Sequence, residues 1–158
     1  MKQFRRRLVW VALWMAVIFL FSAQTSQRSK ELSGAVMEQL TVQQTDAPAT
    51  EEETPEQELL HTLIRKGAHF AEYAMLSMLV AYALWALDLP AKAKWLLPVA
   101  VSALYAVTDE VHQYFVPGRA CRLVDVGIDT CGAIFGMASF AALVWLWQKI
   151  GNKKACCE

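Results

Sequence analysis

Apolar residues in this chain gather into four runs, 8–21, 68–87, 95–108 and 126–147, separated by stretches rich in charge, proline or small polar residues. A helix rises about 1.5 Å per residue and a bilayer core is about 30 Å thick, so about twenty residues are needed to cross it. The second and fourth runs reach that length, while the first and third need their flanks. For the third the flank is 109–115, and the same helix is predicted to carry Asp109, Glu110, His112 and Gln113 at or just inside one membrane boundary. The pattern predicts an all-α polytopic membrane protein, four transmembrane helices in a compact bundle. Residues 1–22 form the first helix, 23–54 an external acidic linker, 55–150 a three-helix membrane core, and 151–158 a cytoplasmic tail.

Local signals set the boundaries. "TPEQELLHTLIRKGAHF" offers Thr54 as an N-cap, Pro55 at the first helical position and Gln57 three residues after the cap, so the second helix is predicted to begin outside the membrane. Gly67 is the one place where it could bend. Asp88-Leu89-Pro90 ends it, because proline disfavours helical geometry in the residue before it. "MKQFRRR" followed by fourteen apolar residues also fits a signal peptide, but no clean small-x-small cleavage site follows.

Composition agrees with a membrane protein: of 158 residues, 56% are hydrophobic and only 19% charged, too apolar for an ordinary small soluble domain. A formal charge of zero and the absence of a basic stripe interleaved with aromatics argue against nucleic acid as a partner. Cys121, Cys131, Cys156 and Cys157 have neither metal-type spacing nor the density of a disulfide scaffold. Lysines and arginines decide orientation, since cytoplasmic loops retain positive charge. With the N-terminus inside, nine of them (Lys2, Arg5, Arg6, Arg7, Lys92, Lys94, Lys149, Lys153, Lys154) fall on the inner side and six (Arg28, Lys30, Arg65, Lys66, Arg119, Arg122) outside. The predicted localisation is the cell membrane, multi-pass, with both termini cytoplasmic.

In that topology the chemistry converges on the outer side. Lys66, His69, Glu72 and Tyr73 lie at the outer end of the second helix, Asp109, Glu110, His112 and Gln113 at that of the third, and Arg119, Arg122, Asp125 and Asp129 where the fourth begins. Spacings of three and four place each helix's set on one face. Ionisable groups near hydrocarbon are costly and point to function by default. Three readings follow. As an enzyme, Glu72, Asp109, Glu110 and His112 would serve as acid, base or nucleophile, with Lys66, His69, Tyr73, Gln113, Arg119, Asp125 and Asp129 binding a lipid-linked or phosphate-bearing envelope intermediate. As a non-catalytic binding or accessory protein, the chain would use the same groups for recognition. As a purely structural cluster, they would pair and hold the bundle together.

A metal-dependent variant of the enzyme would draw on His69, Glu72, Asp109 and His112. The basic residues nearby disfavour a cation, so no metal is expected, and the pattern names no cofactor. No known catalytic motif is present, and four helices without repeats or an interrupted span fit transport poorly. Gly132 and Gly136 form a GxxxG in the fourth helix, which predicts tight packing within the chain, with homodimerisation the less favoured alternative.

Three segments carry a resemblance: "RKGAHFAEYAMLSML" (K-x-x-H-F-x-E-Y), "DEVHQYFVPGR", and "DVGIDTCG" within a D-x-x-x-D-x-x-G element, together with "FSAQTSQRS" after the first helix. The chain resembles the VanZ-like family of small bacterial integral membrane proteins. That resemblance implies a four-helix membrane protein of the bacterial cell envelope and, for the founding member, a part in low-level resistance to the glycopeptide teicoplanin. It implies no settled reaction. The partners it suggests are membrane lipid and a lipid-linked envelope precursor or glycopeptide. Cys121-Arg122 departs from the family pattern, in which small hydroxyl residues more often follow the arginine.

Overall fold

Pro55 supplies a fixed φ and lacks the N–H that a helix start would leave unbonded, and from it one helix runs unbroken through Gly67 to Leu84. Glu56 and Glu58 in its first turn complement the positive end of the helix dipole. The computed structural model describes residues 1–24, 55–117 and 122–155, and in these the chain forms four helices and no strands. They are α1 (Lys2–Ser22), α2 (Pro55–Leu84), α3 (Ala91–Tyr114) and α4 (Leu123–Ala155). Thr54, the expected N-cap, lies outside the described residues.

α2 ends three residues before the expected stop. Bonds from the N–H groups of Ala86 and Leu87 to the carbonyls three residues back tighten Trp85–Leu87 into turns ahead of Pro90. α3 does include 109–114, and α4 continues helically through 151–155, the first part of the expected tail.

Cross-helix contacts fix the arrangement. Arg7 donates to the Tyr82 carbonyl at 2.7 Å, Trp14 to the Glu72 carbonyl at 2.9 Å, and Tyr105 to the Met15 carbonyl at 2.7 Å. Phe19 lies against His112 with ring centroids 4.3 Å apart. α1 therefore runs antiparallel to α2 and parallel to α3, seated between them, and among the described residues it makes no contact with α4. Ile18 and Ser22 are fully buried there, so α1 belongs to the body of the fold.

α2 and α4 run parallel and in close contact. A Cβ placed on Gly132 would strike the Phe70 carbonyl, and one on Gly136 would strike that of Ala74, lying 2.7 Å from its carbon. The GxxxG face is thus occupied within the chain, by the backbone of α2.

Buried polar groups sit beside an apolar core that includes Ile18, Leu76 and Met137, while large apolar side chains face outward. Ser77, Ser102, Asp109, Glu110, Gln113 and Asp129 are buried, while Trp10, Leu20, Leu96, Leu104, Phe135 and Trp147 are exposed, across α1, α3 and α4. Large exposed apolar surfaces of this kind mark contact with a partner or a membrane. Among the described residues one segment, Leu123–Ile150, is long and apolar enough to cross a membrane by itself.

Candidate functional site

The end of the bundle where α1 and α3 finish and α4 begins collects the polar groups. α2 supplies Lys66, His69, Glu72 and Tyr73 at helical spacing, α3 supplies Asp109, Glu110, His112 and Gln113, and α4 supplies Asp125 and Asp129 in its first two turns. At the centre lie Tyr73, fully buried, with Asp109 and Asp129 only 3% and 2% exposed. The charges of Asp109, Glu110, Asp125 and Glu72 all act on Asp129. Those of Asp109, Asp129 and Glu72 act on the Tyr73 hydroxyl.

Partners divide these residues into a held rim and an inner centre. Lys66 Nζ stands 3.0 Å from Asp125 Oδ1, and His69 Nδ1 3.6 Å from Glu72 Oε2 one turn on. Both pairs are partly exposed. Glu110 Oε2 accepts the backbone N–H of Arg122 at 2.9 Å. That bond ties the end of α3 to the residue preceding α4, satisfying a donor that a helix start leaves open. Deeper in, Gln113 Nε2 donates to Asp109 Oδ2 at 3.1 Å. Asp109 Oδ1, Asp129 Oδ1 and the Tyr73 hydroxyl are buried and have no hydrogen-bond partner among the described residues. Buried polar atoms are nearly always satisfied, so each exception needs a reason.

The sequence-derived set is therefore brought together in part: Glu72, Asp109, Glu110 and Asp125 gather about Asp129, and Glu72, Asp109 and Asp129 about Tyr73, with Gln113 orienting Asp109 and Lys66 and His69 at the rim. His112 sits at the edge, half-buried against Phe19. Arg119 lies outside the described residues. Among those residues no group of three or more His, Cys, Asp or Glu side chains is placed to hold a metal ion. Cys131 is a free thiol on the exposed face of α4.

Sequence reasoning missed the contribution of α1 and of Tyr105. Trp14 and Met15 anchor α1 beside the centre, and Phe19 covers the His112 ring. Tyr105 packs on Tyr73 with centroids 6.3 Å apart. It precedes Asp109 by four residues, so the helical spacing that selected Gln113 would also have selected it.

In chemical terms the centre offers carboxylate oxygens that accept and a Tyr73 hydroxyl that can both donate and accept, and these groups are not hydrogen-bonded to one another. The rim offers a lysine and an imidazole to a polar ligand arriving from outside the bundle. No curated protein and no solved structure matches the chain. The sequence model of the VanZ/LLP1 family does match it, over residues 7–146. That match takes in nearly the whole chain, from Arg7 of α1 through every residue of the polar centre described above, and the protein belongs to the VanZ/LLP1 family.

Proposed function

We propose that the chain spans the bacterial cell membrane four times with both termini cytoplasmic, and that its polar centre faces outward as the active site of an enzyme. The substrate class is a lipid-linked or phosphate-bearing envelope intermediate. Support for the spans comes from apolar side chains exposed on the helices around an interior that buries polar groups, the pattern a lipid solvent favours. At the opposite end, Lys94 lies over Trp85 and Lys149 over Trp145. Tryptophans and cations of this kind anchor helices at the cytoplasmic boundary.

The observation that carries the reading is the mismatch at the centre. A cluster built only to hold helices together pairs its buried charges. Here Lys66 goes to Asp125, and the Arg122 side chain is exposed. Asp109 and Asp129 each keep a buried oxygen without a partner among the described residues. In this reading Asp109, held in one orientation by Gln113, acts as the base, with the Asp129 carboxylate and the Tyr73 hydroxyl as further acceptor and donor groups for the substrate. His112 serves as the acid on the side lined by α1. Lys66, with Arg119, holds the anionic part of the substrate, and His69 and Glu72 form the rim. Glu110 acts mainly by fixing the start of α4.

The founding member's part in teicoplanin resistance suggests a cellular readout for this chain. Bacteria producing the His112→Asn variant at the wild-type membrane level are expected to lose any protection that the wild-type protein confers against teicoplanin, with the melting temperature of the purified variant close to wild type. Full protection by His112→Asn would remove the imidazole from the mechanism. Recovery of an envelope precursor bound to the wild-type protein but unchanged on incubation would assign the centre to recognition instead of turnover.

A further inference from the structure

At the end of the bundle away from the polar centre, a cavity of about 450 Å³ opens between the C-terminal ends of α2 and α4 and the start of α3. Its walls are almost wholly apolar: Trp85, Trp95, Met137, Phe140 and Trp145, with the Gln148 amide at the edge. Trp85 and Phe140 meet edge to face at 5.7 Å, joining the α2 and α4 walls. Two of the lining tryptophans each carry a lysine. Lys94 Nζ lies 5.4 Å from the Trp85 ring centre and Lys149 Nζ 4.8 Å from that of Trp145, both within cation–π range. Each ammonium group thereby stands against a tryptophan of the groove, Lys94 at Trp85 and Lys149 at Trp145, and neither lysine lines the groove itself. Asp88, in the connection between α2 and α3, is exposed and does not line the groove.

We propose that this groove is a binding site for an anionic phospholipid, an acyl chain lying along the tryptophan-lined walls and the headgroup phosphate held between Lys94 and Lys149. The proposal rests on the membrane-spanning reading above. Lipid chains would solvate any apolar groove in a bilayer, so shape alone selects nothing. The paired cations supply the selection, because an anionic headgroup gains about the attraction of one charge per lysine near the surface and a zwitterionic one gains little. Gln148 can add a hydrogen bond to the phosphate or glycerol oxygens. Such a lipid would wedge α3 and α4 together at the end opposite the site.

The test uses full-length protein in phosphatidylcholine bilayers, in a Trp10→Phe, Trp147→Phe background that removes two exposed tryptophans outside the groove. A small, fixed mole fraction of brominated phosphatidylglycerol or of brominated phosphatidylcholine is added, and tryptophan quenching is compared. The brominated anionic lipid is expected to quench as if enriched roughly tenfold over its bulk fraction, and its zwitterionic counterpart only in proportion to that fraction. Lys94→Gln with Lys149→Gln removes the excess. Ala141→Phe, which fills the groove and leaves both lysines in place, removes it as well. Equal quenching by the two lipids, or an excess that survives both variants, overturns the proposal and leaves the membrane reading standing. An excess lost only in Arg6→Gln, Arg7→Gln protein overturns it too, by moving the lipid to the basic cleft beside Trp10 and Tyr82. Absence of quenching by either lipid contradicts the membrane reading itself.

Discussion

Asp109→Asn and Asp129→Asn are each expected to lower activity by at least about a hundredfold, the scale of losing a positioned acid or base, while leaving stability unchanged or slightly raised. The physical reason lies in the surroundings of the two side chains. Both are buried, and each has an oxygen without a partner among the described residues. Asparagine has nearly the same shape and keeps an oxygen that can accept from Gln113 Nε2 as Asp109 Oδ2 does. It removes a carboxylate whose burial costs free energy. Neighbouring acids reinforce the effect, since the charges of Glu72, Glu110 and Asp125 also bear on Asp129. If the carboxylates instead held the bundle through ion pairs, removing one partner would cost about 3–5 kcal/mol. Thermal melting of detergent-solubilised variants, read beside the envelope phenotype, separates the two accounts. Lost function with an unchanged melt supports a working site, and a lowered melt supports a structural one. Stability given up at a site in exchange for function is the usual pattern in enzymes.

The second large effect is expected from Gly136. A Cβ there would lie 2.7 Å from the carbonyl carbon of Ala74 and closer still to its oxygen, and backbone cannot turn aside as a flexible side chain can. Gly136→Leu must therefore push α4 away from α2, opening the contact that both Gly132 and Gly136 permit. Overpacking costs about 1–3 kcal/mol where side chains can yield, and more than about 3 kcal/mol is expected here. The expected outcome is a protein that no longer gives a cooperative melt. Gly67→Ala is the control. Gly67 lies inside α2 with nothing within 4 Å of an added methyl group, so alanine should stabilise the helix by about 0.5–1 kcal/mol. A Gly136→Leu protein that melts like wild type would show that close approach of α2 and α4 is unnecessary to the fold.

How much of this was legible in the sequence differs from element to element. Helices appear where apolar runs meet Pro55 and the segment before Pro90, because proline acts through its own covalent geometry and needs no tertiary partner. The grouping of Lys66, His69, Glu72 and Tyr73 is readable for a similar reason: spacings of three and four are fixed by the helix itself. What α1 contributes is not readable. An arginine-rich start and fourteen apolar residues also fit a cleaved leader, short of a clean cleavage site, and nothing local reveals that the Trp14 indole reaches the Glu72 carbonyl or that Phe19 covers His112. The partner of the GxxxG face was likewise open, since small residues permit close approach without naming what approaches. Only the packed structure supplies Phe70 and Ala74. Glu110 shows the same limit. Its type and position suggested chemistry, whereas its bond to the Arg122 N–H depends on how the chain turns between α3 and α4.

Everything proposed for the polar centre depends on which side of the membrane it faces, and one labelling experiment addresses that directly. Two variants are compared in whole cells with a membrane-impermeant thiol reagent, one retaining Cys121 as its only cysteine and the other retaining only Cys156. In sequence Cys121 falls between α3 and α4, two residues before α4 begins, and Cys156 follows the last residue of α4. The account predicts that Cys121 is labelled from outside and that Cys156 reacts only after the cells are opened. Labelling of Cys156 with protection of Cys121 would turn the centre toward the cytoplasm and contradict its assignment to an envelope substrate.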